Sequence, residues 1–167
     1  MMRALVLAFA AAACSPTWHP ARAQQVSLYD HPWVWLDDHG ERAAFSQWRG
    51  TPVVLAAMYT TCFETCPRTL AKLKNVYAEF ERDHRRAAFI VVTIDPETDT
   101  PERLRAFRAS RHLPDSWHLW TGGSAETKEL VDLLGIHLMD MESHLVHDSK
   151  IVMFDDRGVS TSEYEVL

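Results

Sequence analysis

An uncharged apolar run, Val53 to Tyr59, ends on the segment TTCFETCP and passes straight into a helical repeat. Gly50-Thr51-Pro52 interrupts the chain just before the run, and Val53-Val54 gives it the composition of a buried central strand. From Pro67 to about Phe80 the apolar residues Leu70, Leu73, Val76, Tyr77 and Phe80 recur at helical spacing, and Pro67 suits a first helical turn. Cys62 and Cys66 are therefore predicted at a strand-to-helix junction.

The alternation then repeats. Ala87 to Ile94 reads as a second buried strand closed by Asp95-Pro96. Thr100 as N-cap and Pro101 at the first position open a helix to about Ser110. His118 to Thr121 is a short strand. Ser124 caps a helix to about Leu134, which Gly135 ends. Ile151 to Phe154 is a strand, Asp155 to Gly158 a turn, and a last strand starts at Val159. Upstream, Val34 to Phe45 reads as a hairpin with Asp38-His39-Gly40 as its turn. Alternating strands and helices predict an α/β fold, a central mixed sheet flanked by helices with an N-terminal β-hairpin.

With 167 residues, 47% of them hydrophobic, the chain can bury a core, and nothing marks an internal domain boundary. A formal charge of -6 argues against a nucleic-acid partner, which needs a basic surface. Residues 1–23 read as an export segment and 24–167 as one domain. Arg3 gives a cationic start, and Ala4 to Ala13 is apolar but too short to span a bilayer stably. Ala21-Arg22-Ala23 favours cleavage before Gln24. Lipidation of Cys14, which would anchor the domain to a membrane, is the competing outcome. Either way the domain is expected in the periplasm or otherwise outside the cytoplasm.

Export leaves Cys62 and Cys66 as the domain's cysteines, either a disulfide, a redox pair or a metal site. A loop this small gains little from a structural disulfide. The positive end of a helix dipole favours thiolate, the form that attacks disulfides and binds metal. Two soft sulfurs suit Cu(I), with imidazole an acceptable third ligand.

TTCFETCP after an apolar strand resembles the TxCxxxCP motif of the Sco/SenC family, copper proteins of cytochrome c oxidase assembly. VTIDPETDTPERLRAF, WHLWTGGSAETKELVDLLGI and HDSKIVMFDDRG resemble, in the same chain order, that family's later segments, so the likeness spans roughly Val26 to Gly158. It implies a thioredoxin-like fold and a copper ion held by Cys62, Cys66 and one histidine. The family's histidine directly precedes the strand leading to Asp-x-x-Gly, which selects His147 and leaves His144 as a neighbour. The family normally adds a helix after the last strand; here the chain stops at Leu167, and that helix is expected to be absent.

The resemblance implies a monomeric metallochaperone rather than an enzyme. Its partners would be the copper-accepting subunit of cytochrome c oxidase and another copper chaperone. The alternative is a thiol-disulfide oxidoreductase that uses Cys62 and Cys66 on the cysteines of that subunit. A peroxidase and an inert module with a structural disulfide rank lower. Asp95 and Asp99 are assigned to strand termination and helix capping, with steering of a metal ligand the other reading. Trp117 and Trp120 are expected in the core. His31, His84, His112 and His118 form no ligand spacing.

Overall fold

The computed structural model describes residues 26–63, 65–141, 144–147 and 150–165, with side chains at 138–149 and 165 outside the description. The expected export segment and Cys14 also lie outside the described residues. The strands are β1 (Trp35–Asp37), β2 (Arg42–Ala43), β3 (Val53–Met58), β4 (Ala88–Thr93), β5 (Trp117–Thr121), β6 (Leu138–Met141), β7 (His144–His147), β8 (Lys150–Phe154) and β9 (Ser160–Glu165). The helices are α1 (Thr65–Arg82), α2 (Pro101–Arg111) and α3 (Ser124–Leu133).

One seven-stranded sheet runs β2-β1-β5-β4-β3-β8-β9, and β6-β7 form a separate two-stranded ribbon. β3, β4 and β5 are parallel, while β1, β2, β8 and β9 pair antiparallel at the two flanks. This is the mixed, helix-flanked sheet that the alternation predicts.

Every residue of β3 and β4 is buried, because parallel strands here are covered on both faces. The two-residue period divides them between two cores. Val53, Leu55 and Ala57 face Leu130 and Val131 of α3 together with Trp33, Trp35 and Phe45. Val54, Ala56 and Met58 face Leu70, Leu73 and Val76 of α1 and Leu104 and Phe107 of α2. Trp117 and Trp120 are each 1% exposed, on opposite faces, as core aromatics.

Three local expectations change. α1 begins at Thr65, two residues before Pro67, so Cys66 is already helical. Gly123, rather than Ser124, is the N-cap of α3, and Ser124 is its first residue. Between α3 and β8 the chain forms the β6-β7 ribbon, with Leu138 opposite His147 and Met141 opposite His144. The last described element is β9.

Candidate metal centre

The end of β3 delivers the cysteines to the edge of the sheet where parallel strands release their loops, the usual place for a ligand in an α/β fold. Ile94 N–H donates to Met58 O at 3.0 Å, so the loop after β4 stays tied to the loop after β3. Cys62 N–H reaches back to Tyr59 O at 3.3 Å and curls that loop. Cys66 then follows as the second residue of α1. Cys62 is 7% exposed and Cys66 3%, whereas Phe63 between them is 78% exposed.

No disulfide joins the two cysteines in this structure. Polar groups gather on the Cys62 sulfur. Cys66 N–H points at Cys62 Sγ at 3.2 Å, and Thr65 Oγ1 lies 3.4 Å from it. The Cys66 thiol and the Tyr59 hydroxyl are also hydrogen-bonded to Cys62. A helix N-terminus leaves N–H groups without intrahelical partners, and here one of them serves a sulfur.

The consequences for the two neighbours follow. The hydrogen bond to Cys62, and then burial, push the Cys66 thiol up, against the opposing pull of the Tyr59 backbone and Thr65. Burial, then the charge and hydrogen bond of Cys62, push the Tyr59 hydroxyl up to about 12. The helix dipole was expected to favour thiolate at this junction. The two sulfurs are placed unequally: Cys62 Sγ accepts the Cys66 N–H and the Cys66 thiol, while Cys66 Sγ accepts from the Tyr59 backbone and Thr65. Tyr59 and Thr65, three residues either side of Cys62, were not singled out from sequence. Their spacing around a cysteine at a helix start was the available signal.

His147 is the last residue of β7 and stands three residues before β8. β8 runs antiparallel to β3 with Ile151 opposite Ala56, so it enters the sheet where β3 leaves it. Three residues of chain cannot carry the His147 Cα more than about 11 Å from that of Lys150. The side chains of His147 and His144 lie outside the described residues. Among the described residues no group of three or more His, Cys, Asp or Glu side chains is arranged to hold a metal ion. The donor chemistry of Cys62 and Cys66, two soft sulfurs at one strand-to-helix junction, nevertheless fits copper.

Asp95 behaves as a turn residue: its carbonyl accepts from Thr98 N–H at 3.2 Å and Asp99 N–H at 2.9 Å. Thr100 caps α2 through Arg103 N–H, as expected. Asp99 does not cap; its buried carboxyl turns inward to Thr60 and Thr93. His84 and His112 both adopt positive φ, with His112 the C-cap of α2, and His118 packs its ring against Trp48. No helix among the described residues is long and apolar enough to cross a membrane.

Known proteins share this architecture. A SCO2-like protein of Rickettsia prowazekii is 28% identical over 149 residues, 81% of this chain and 72% of its own. Arabidopsis thaliana ScoI, solved with copper bound, superposes with a TM-score of 0.72 at 20% identity, covering 81% of this chain and 86% of that one. BsSco, a member of the Sco family of cytochrome c oxidase assembly proteins in which a disulfide switch was identified, also gives 0.72 at 20% identity, with coverages of 85% and 86%. The fold is thus the thioredoxin-like fold of Sco proteins. The SCO1/SenC family model matches residues 21–166, and the chain belongs to that family, which is linked to copper and to cytochrome c oxidase assembly.

Proposed function

We propose that this protein carries copper outside the cytoplasm and delivers it to the copper-accepting subunit of cytochrome c oxidase. Copper is cargo here, bound by Cys62, Cys66 and His147. The observation that carries the reading is the cysteine pair: two soft donors meet at the mouth of a central strand, with Cys66 N–H 3.2 Å from Cys62 Sγ. The copper-bound ScoI structure supports the choice of metal, and membership of the family supports the recipient. The third ligand rests on the chain path that ends β7 three residues before β8. The apolar Ala4–Ala13 segment supports export.

Few ligands and a solvent-facing loop keep such a site exchangeable. Phe63, largely exposed, marks the side from which a recipient's own thiols would approach. Another copper chaperone would fill the same loop in the opposite direction. Anaerobic titration of the reduced protein with copper tests the reading. One ion per chain is expected, and the Cys62→Ser/Cys66→Ser protein should bind none tightly. Tight binding that survives in the double variant removes the site.

A second reading has a specific observation behind it. The Cys66 N–H and thiol both point at Cys62 Sγ, which favours a nucleophilic sulfur beside a protonated partner and suits a thiol-disulfide oxidoreductase acting on the recipient's cysteines. Turnover of a disulfide substrate by protein that retains no copper would favour it.

A further inference from the structure

The carboxyl group of Asp99 is 0% exposed and accepts three hydrogen bonds. Thr60 N–H donates to Oδ2 at 2.9 Å, the Thr60 hydroxyl donates to Oδ1, and the Thr93 hydroxyl donates to Oδ2 at 2.6 Å. Thr60 lies in the loop after β3, two residues before Cys62. Thr93 ends β4, and Asp99 itself precedes the N-cap of α2. One side chain therefore ties together the chain leaving β3, the chain leaving β4 and the start of a helix.

Little room is left for solvent beside this arrangement. The cavity beside Asp99, bounded by Tyr59, Val91, Leu104 and Phe107, measures about 10 Å³, room for one water molecule at most. Among the described residues no lysine, arginine or histidine forms an ion pair with Asp99. A buried acid without a cation is a costly way to fill a core. Its return is geometric, because a fully bonded polar network admits one arrangement where apolar packing admits several. The arrangement it admits fixes the Thr60 peptide, and only Thr61 separates that peptide from Cys62.

We propose that Asp99 is a positioning residue for the thiol pair: through Thr60 it holds Cys62 Sγ in place against the N-terminus of α1. The inference rests on Cys62 and Cys66 working as a pair, the reading given above, and not on which metal they take. An acid is required because both of its oxygens accept. Asparagine would turn an NH₂ group toward one of the Thr60 or Thr93 donors.

The test uses the whole chain and oxidised glutathione. Cys62 and Cys66 give up two electrons and two protons, glutathione disulfide becomes two glutathione thiols, and one S–S bond forms in the protein. The equilibrium constant is read by mass after trapping the thiols. Loosening Cys62 lowers the effective concentration of one thiol at the other, so Asp99→Asn should lower the constant about tenfold, equivalent to about 30 mV. Thr60→Val and Thr93→Val should each lower it less, and Thr93→Ser, which keeps the hydroxyl, should match the unaltered protein. The urea midpoint is recorded for each variant, because a merely structural role would move that midpoint and leave the constant of the folded protein alone.

A fall of about threefold or more in Asp99→Asn with Thr93→Ser unchanged supports the proposal. A smaller fall, or an equal fall in Thr93→Ser, overturns it. Should Asp99→Asn not fold, Thr60→Val and Thr93→Val decide: a lowered constant in both supports the proposal, and any other result overturns it. Copper titration of the unaltered protein fails or succeeds separately, so loss of the copper reading would not be mistaken for loss of this one.

Discussion

The backbone N–H of Cys66 donates to Sγ of Cys62 across 3.2 Å, so the second cysteine of the pair helps hold the sulfur of the first. The relationship cannot be reversed, because Cys62 precedes α1 and its own N–H donates back to Tyr59 O instead. The two thiols should therefore react unequally. With one cysteine left in each protein, Cys62 in Cys66→Ser should be alkylated by iodoacetamide about tenfold faster at neutral pH than Cys66 in Cys62→Ser. Rates followed by mass spectrometry check this, and equal rates would contradict the asymmetry.

Arg108 anchors α2 to the hairpin and to β5. Its Nε and Nη2 grip the Asp38 carboxylate at 2.6 and 3.0 Å, while Nη1 and Nη2 donate to the carbonyls of Pro114 and Trp117. The two side chains are 13% and 3% exposed, so removing the arginine strands a buried charge. Arg108→Ala should cost about 3–5 kcal/mol in a urea unfolding experiment. A loss below about 1 kcal/mol would make the pair no better than a surface bridge.

The same pair sets an acid dependence. Burial alone would push the Asp38 carboxyl up, but the hydrogen bond and charge of Arg108 outweigh it and hold the group below its ordinary value. A depressed carboxyl contributes stability that is complete above its unfolded value of about 3.9 and lost as pH falls through the folded value. Stability should decline below about pH 4, and less steeply in Asp38→Asn. Identical acid profiles for the two proteins would exclude Asp38 as a source.

At the alkaline end the sign is opposite. Tyr29 is buried and its hydroxyl donates to Thr51 O at 2.6 Å and to Asp155 O at 3.2 Å. Burial, then the charges of Asp155 and Asp156, push it up to about 12, with Arg49 opposing. The folded protein keeps this proton after the unfolded chain has lost it near pH 10. The contribution is thus whole below about pH 10 and disappears as pH rises through the folded value. Tyr29→Phe should flatten part of the alkaline fall in thermal midpoint, the rest belonging to groups such as Tyr59.

The central strands and α1 were legible because their patterns are unambiguous: Val53–Met58 is apolar without a break, and Leu70, Leu73, Val76 and Phe80 keep one face of a helix. The β6-β7 ribbon was not, because HLMDMESHLVH contains no Gly, Pro or Asn to announce a turn. Cys62 and Cys66 could be placed at a helix start from spacing alone. Their unequal surroundings could not, since these depend on how Tyr59 and Thr65 divide their contacts between the two sulfurs. Asp99 was misread because Asp-Thr-Pro is a sufficient local signal for a helix start, while its partner Thr60 lies 39 residues away.

The two nearby histidines should differ in consequence. His147 ends β7 three residues before β8, and β8 enters the sheet beside the end of β3. His144 begins β7 opposite Met141, at the other end of the strand. A ligand is useful only if the chain brings it to the other donors without a large ordering cost. His147→Ala should therefore weaken copper binding about tenfold or more while leaving one ion per chain at saturation, since the two sulfurs still chelate. His144→Ala should change the affinity less than about threefold. Competition against a chelator of known copper affinity measures both. If His144→Ala proved the damaging change, the third ligand would have to be reassigned, and the chain path from β7 to β8 would no longer support the copper site.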